Sequence, residues 1–350
     1  MGEGMSDSSI RGGYARRTYT RIIIIICLFL LLILLTGVAA TLGSYPIGVM
    51  EVYGTILAGH NGGSDISTIV WNYRLPRILM GILAGAALGL AGAMMQGILR
   101  NPLASPFTLG IASAASFGAS LAIVLGAGVV AGGSLLVGNA FLFTLVAAAA
   151  VYGLAQVRGI TSETMIMAGI AIMYLFSAMT SFLQYIGDSE DVHAIVFWMF
   201  GSLGRSTWET VMTVAILVGV LLPLSLLSAR SLNTLAAGDE AATSLGVPVE
   251  KIRIGGMAGA SLLTAGVICF TGTIGFIGLV APHISRMVLG GDHRFLLPGT
   301  AVVGALVLLG ADSIGRTIMA PQILPVGIMT AFLGVPFFIF LFLTRRRNYW

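Results

Sequence analysis

Charge is scarce in this chain. Of its 350 residues only 9% are Asp, Glu, Lys or Arg, against about 25% in a soluble domain. Such a deficit excludes an ordinary water-exposed globule. Cysteine is scarcer still. Cys27 and Cys269 both lie in apolar runs, which gives neither a disulfide framework nor a metal-ligand spacing. The four histidines, His60, His193, His283 and His293, are scattered, with no HExxH and no CxxC. No enzyme constellation is present, no metal or cofactor is expected, and nothing points to nucleic acid. A GxxxxGK[ST] loop to cradle nucleotide phosphates is also missing. If the chain's work consumes ATP, another chain hydrolyses it.

What remains is apolar. Hydrophobic residues make up 57% of the chain, with 47 glycines and a mean hydropathy of +0.98. Glycine is commoner in membrane helices than in soluble ones. The first apolar run extends from Ile22 to Leu42, long enough to span a hydrocarbon core. A signal-peptide core is usually about 7–15 residues, so this run reads as a first transmembrane helix with a basic flank. Ten spans are predicted, over 22–42, 76–98, 107–128, 138–157, 164–185, 209–229, 252–272, 276–289, 296–318 and 325–344. The eighth is too short to cross as a straight helix and reads as a half-span. The domain plan is a segment 1–21, one ten-helix transmembrane domain 22–344, and a tail 345–350.

An even count puts both termini on one side. With that side cytoplasmic, fourteen cations lie inside: Arg11, Arg16, Arg17, Arg21, Arg100, Arg158, Arg230, Lys251, Arg253, Arg286, Arg294, Arg345, Arg346 and Arg347. Only Arg74, Arg77, Arg205 and Arg316 fall outside. The asymmetry obeys the positive-inside rule and places the chain as a multi-pass protein of the cell membrane. An internal echo appears too. Ala84-Gly85-Ala86-x-Leu88-x-x-Ala91-Gly92 matches Ala258-Gly259-Ala260-x-Leu262-x-x-Ala265-Gly266 at an offset of 174 residues. The second span runs inward and the seventh outward, so five spans per half make an inverted repeat, common in transporters. Small-residue patterns also recur in any glycine-rich membrane bundle.

The stretch Gln96–Gly110, QGILRNPLASPFTLG, breaks the apolar pattern at the inner end of the second span. Pro102 and Pro106 forbid one continuous helix. Two readings are open: a tight hairpin turn, or irregular backbone lining a cavity, the setting in which membrane depth tolerates it.

Three strings carry a family resemblance. They are RLPRILMGILAGAALGLAGAMMQGILRNPLASPFTLG from Arg74, GTIGFIGLVAPHISRMVLGGDHRFLLPG from Gly272, and GADSIGRTIMAPQILPVGIMTAFLGVPFFIFLF from Gly310. In this order they resemble the FecCD-like permease subunits of type II ABC importers. The resemblance covers nearly all the chain after its first forty or so residues. It implies an all-α polytopic fold of about ten helices with inverted halves. The implied partners are a second copy of the chain, two ATP-binding cassette subunits, an extracytoplasmic binding protein and the bilayer. The implied cargo is a metal chelate: a ferric siderophore first, cobalamin second, then haem or molybdate. An ion-coupled secondary transporter is the rival class. It needs ionisable groups in mid-membrane, and only Asp312 comes close.

The resemblance also implies residue roles. Asn101 and Leu103 would narrow the pathway at a cytoplasmic gate. Ser162 and Glu163 would supply its other half, although a carboxylate departs from the paired hydroxyls found in relatives and could instead pair with Arg158. The segment Leu232–Pro248 would couple to the ATPase through a short helix over Gly238–Leu245. Asp239 and Glu240 stand at its start, where the helix dipole favours anions, and Gly246 and Pro248 end it. Arg74, Arg77 and Arg316 would meet acidic residues of the binding protein, a pairing suited to bidentate guanidinium contacts. For Arg316 an i,i+4 pair with Asp312 is the local alternative, and Arg205 has only its location to recommend it. His283 reads as a hydrogen-bonded structural residue, and Met94 and Met95 as core or lipid-facing packing.

Overall fold

The computed structural model describes residues 7–43, 45–60, 64–128 and 134–344. The tail 345–350, with Arg345, Arg346 and Arg347, and residues 1–6 of the N-terminal segment lie outside the described residues.

The described chain is helical throughout. Seven helices are long and apolar enough to cross a membrane. The first is α1 (Asp7–Thr41); from Ile22 on it is apolar around its circumference with few buried side chains, as a helix facing hydrocarbon should be. A short helix α2 (Val49–Ala58) follows. Then α3 (Asp65–Thr68), a π-helical turn (Ile69–Arg74) and α4 (Leu75–Leu99) run on as one helix. The wide turn has a local cause. Pro76 has no N–H to donate and its ring would strike the carbonyl four residues back, a clash that a widened turn relieves.

The remaining long helices are α6 (Leu135–Arg158), α7 (Ser162–Ile186), α9 (Trp208–Leu227), α12 (Val249–Thr271) and α14 (His293–Thr317). Shorter apolar helices complete the predicted ten: α5 (Ile111–Leu125), α13 (Ile277–Leu289) and α15 (Val326–Thr344). Three more short helices lie between spans: α8 (Ser189–Met199), α10 (Ala229–Leu235) and α11 (Asp239–Ser244). The sequence reading foresaw α11 but neither α2 nor α8, and it began the third span four residues early.

Helix α4 is the axis of the bundle, buried along almost its whole length from Ala84 to Leu99. Glycine makes this possible at two positions. A methyl on Gly85 would collide with the carbonyl of Gly304 in α14, and one on Gly92 with the carbonyl of Gly278 in α13. Without a hydrophobic drive between helices in lipid, such backbone approach is the main source of packing energy.

The two halves are built alike. Helix α4 packs on α14 as α12 packs on α6; α5 meets α6 as α13 meets α14; α6 meets α7 as α14 meets α15. Arg74, at the start of α4, touches the end of α1, whereas Ile98, near its end, touches Arg253 at the start of α12. So α4 and α12 run in opposite directions, and the repeat is inverted. We call the end where α1 starts the lower end. Each central helix stops in a break followed by a short helix: Arg100–Gly110 after α4 at the lower end, Gly272–Phe276 after α12 at the upper. Arg100 (φ 47°) and Phe276 (φ 65°), one in each break, are the two non-glycine residues with positive φ among those described, a conformation rare for side-chain-bearing residues. The half-span over 276–289 is therefore α13, shortened because an irregular stretch occupies part of the depth.

Candidate functional site

The upper end gathers the outside arginines, with partners the sequence did not foretell. Helix α1 ends at Thr41 with carbonyls that have no intrahelical donor. Arg74 donates through Nη1 to the carbonyls of Ala40 (2.9 Å) and Thr41 (3.3 Å), and through Nη2 to that of Tyr45 (2.6 Å). Arg316 donates to the carbonyls of Leu42 (2.8 Å) and Ala39 (3.3 Å). Two cations thus cap one helix C-terminus, where the dipole favours positive charge. Arg77 donates to both oxygens of Asp312 at 2.7–3.1 Å, and Arg316 Nε lies 3.0 Å from the same carboxylate in an i,i+4 pair. The local alternative for Arg316 is therefore realised. Arg74 and Arg316 are buried. They nevertheless line an open cavity of ≈ 410 Å³ together with Tyr45, Tyr73, Arg77 and Ile323. Three guanidinium groups and one carboxylate leave this recess cationic. Gly204 also lines the recess, and its chain neighbour Arg205 is exposed.

A second cavity at this end, ≈ 530 Å³, is apolar. Met199, Phe200, Thr273, Phe276, Phe332 and Val335 line it, so the residue after α8, the upper break and α15 share its wall. Backbone bonds stitch these segments together: Gly327 N donates to Phe200 O (3.0 Å) and Ser202 N to Thr271 O (2.7 Å).

At the lower end the NPLA break is a closed, hydrogen-bonded turn. Asn101 Oδ1 accepts from Leu103 N at 2.9 Å. Ser105 and Thr108 bond each other reciprocally, and Ile111 N reaches Pro106 O at 3.2 Å. The hairpin reading describes this geometry well. The side chain of Leu103 stands out at its tip, 58% exposed, while Ala104 and Ser105 are buried. The turn then leans on α7. Gly110 (φ 76°) sits against Met173 N, and a methyl on Gly169 would strike Leu109. The end of the break and the middle of α7, at Gly169 and Met173, are accordingly packed together. Ser162 and Glu163 open α7 behind an N-cap at Thr161, whose hydroxyl accepts from Thr164 N at 3.2 Å. Glu163 is exposed, and among the described residues no ion pair joins it to Arg158.

Beside the break lies α11. Gly238 starts it with φ 115° and Gly246 ends it with φ 80°; Ala242 is buried, while Glu240, Thr243, Ser244 and Leu245 face outward. Leu245 is 72% exposed, a large apolar side chain at the tip of a short rigid helix. Asp239 points the other way, to Arg253 Nη2 at 2.8 Å. Sequence reasoning missed Arg253. Its signal was present: it stands inside the predicted seventh span, whereas most other inner cations sit in loops. His283 is buried with Phe338 edge-on at 5.7 Å between ring centres.

Residues 19–344 match the model of the FecCD transport family. The chain belongs to the FecCD transport family. It is 38% identical over 336 residues to the hemin transport system permease protein of Yersinia pestis, covering 95% of this chain and 98% of that protein. It is 40% identical over 279 residues to the cobalamin import system permease protein of Halobacterium salinarum, covering 79% and 74%. A solved structure described as an inward-facing metal-chelate type ABC transporter superposes with a TM-score of 0.82 at 32% identity, over 92% of this chain and 99% of that one. This FecCD-family chain therefore has the type II ABC importer permease fold, with the inverted repeat seen in its own packing.

Proposed function

We propose that two copies of the chain enclose a pathway for a metal chelate, driven by ATP hydrolysed on separate subunits. A ferric siderophore is the first substrate class and cobalamin the second. The observation that carries the reading is the division of labour between the two ends. The upper end offers a cationic recess beside an apolar cavity. The lower end offers a short exposed helix beside a broken, Leu-tipped segment. The fourteen-to-four charge asymmetry orients the lower end, and both termini, toward the cytoplasm of a prokaryotic cell membrane. A binding protein then docks on the recess through acidic side chains that meet Arg74, Arg77 and Arg316. Two ATP-binding cassette subunits seat on α11, with Gly238 and Gly246 fixing its ends, Glu240 and Leu245 as contacts and Asp239 as its anchor. Leu103 and Asn101, with Ser162 and Glu163, close the lower opening across the dimer axis. An apolar, uncharged upper cavity suits a chelate whose metal is already wrapped in organic ligand.

An ion-coupled secondary transporter fits less well. The one carboxylate buried among the described residues, Asp312, is held by two arginines near the upper end, away from mid-membrane. The test is purification from the native membrane followed by reconstitution. An ATPase should co-purify in a 1:1 ratio, and uptake of ferric siderophore with the cognate binding protein should require internal ATP. Uptake driven by a proton or sodium gradient with no ATPase present would overturn the reading.

A further inference from the structure

Arg253 lies four residues into α12, and its side chain is 4% exposed. Its guanidinium reaches four residues on three stretches of chain. Nε donates to Ile98 O at 3.2 Å, in the last turn of α4 ahead of the NPLA break. Nη1 donates to Ile160 O at 2.9 Å, in the link between α6 and α7. Nη2 donates to Ser162 Oγ at 3.1 Å, in the first turn of α7. The same nitrogen meets Asp239 of α11, 3.0 Å from Oδ1 and 2.8 Å from Oδ2. Arg100, the left-handed residue that opens the break, approaches Asp239 from the other side at 3.9 Å.

We infer that Arg253 is the positioning residue through which α11 sets the position of the lower break and of the start of α7. The inference rests on the reading of α11 as the helix that meets the ATPase. The argument is geometric. A guanidinium is a flat, rigid fork with five N–H donors, so acceptors bound to it cannot move independently. Here three of them belong to segments flanking the lower opening, and the fourth belongs to the helix whose outer face is exposed. Two acceptors are main-chain carbonyls near helix ends, and one of them, Ile98 O, has no intrahelical donor. Inside a dry bundle a carbonyl stripped of its donor is strongly disfavoured. A shift of α11 that carries Asp239 therefore carries the guanidinium, and the guanidinium carries the end of α4 and the start of α7. Lysine cannot substitute. Its ammonium is a compact point charge on a flexible stem and does not span the fork.

The test uses the full chain assembled with its ATPase subunits in lipid. Leu103→Cys, in a background with Cys27→Ser and Cys269→Ala, reports the lower opening by disulfide crosslinking between the two copies. The parent should crosslink at rates that differ between ATP-bound and nucleotide-free states, and coupled sites commonly differ about 5- to 150-fold. Adding Arg253→Gln should bring that ratio close to one, with the ATPase still co-purifying and ATP still hydrolysed. Arg253→Lys, which keeps the charge and protects against a folding failure, should also lose most of the ratio. A merely structural arginine would lower stability and yield but leave the ratio intact. If either variant retains the parent's ratio, the inference fails while α11 keeps its role. If the parent itself shows no difference, the gate reading falls and the inference with it.

Discussion

Arg77 and Asp312, 235 residues apart in sequence, form a two-toothed ion pair at 2.7–3.1 Å in which the carboxylate side chain is 1% exposed. The pair bolts the start of α4 to the end of α14, the two helices whose glycines meet below. Asp312 also faces Arg316, so one carboxylate serves two cations. Removing it should leave both uncompensated. Asp312→Ala is expected to lower unfolding stability by about 3–5 kcal/mol, the range for breaking a buried pair from one side. Thermal unfolding in detergent with a native-state probe checks this. A loss under ~1 kcal/mol would show that water reaches the cluster.

The docking role calls for a milder change than charge reversal. Arg74→Glu and Arg316→Glu would set a carboxylate against the carbonyls that end α1, so a lost complex there would confound folding with binding. Arg77→Gln leaves the caps on α1 in place, and Asp312 stays paired with Arg316. It is expected to weaken association with the binding protein about tenfold at low salt. The effect should shrink as salt shortens the screening length to about 8 Å and below. Titration of immobilised permease in lipid nanodiscs reads this directly. Equal affinity with and without Arg77, across the salt range, would leave the recess without a docking function.

Close backbone approach at α4 makes a sharper packing prediction. Gly85→Ala drives a methyl into the Gly304 carbonyl and should destabilise by about 1–3 kcal/mol or more, the cost of overpacking. Gly153→Ala, in α6 where nothing lies within 4 Å of the added carbon, should be neutral or slightly stabilising, because alanine is the better helix former. Paired melting curves of the two variants decide it. Similar behaviour would mean that α4 and α14 are not in backbone contact.

Much of this molecule was legible from its sequence, and the reasons are physical. Long apolar runs declare spans because lipid forbids unsatisfied backbone; the small-residue echo between α4 and α12 pointed to inverted halves without separating them from the patterns of any glycine-rich bundle. Pro102 and Pro106 marked the lower break. Its upper counterpart at Gly272–Phe276 carries no proline, but Gly272 and Gly275 punctuate it, and the predicted spans part there, at 272 and 276. The short helices α2 and α8 were missed because segments of ten or eleven residues carry too little periodicity to stand apart from their surroundings. The arginines show the limit most clearly. Sequence position put Arg74, Arg77 and Arg316 at the outer end, yet only the packed structure brings the last carbonyls of α1 to Arg74 and Arg316. Likewise the joining of Arg253 to Ile98, Ile160, Ser162 and Asp239 depends on contacts between elements up to 155 residues apart, which no local pattern encodes.

The central claim is that the broken segment after α4 is a gate moved from a distance by ATP. Crosslinking of Leu103→Cys between the two copies, in the background without Cys27 and Cys269, tests it most directly. A disulfide needs Cα atoms within about 7 Å, so a modest opening abolishes it. The account predicts efficient crosslinking in one nucleotide state and little in the other, with transport blocked when the link is closed. Identical crosslinking with and without ATP, or none in either state while uptake continues, would contradict it. The break at Asn101–Ser105 would then be a hairpin turn and nothing more.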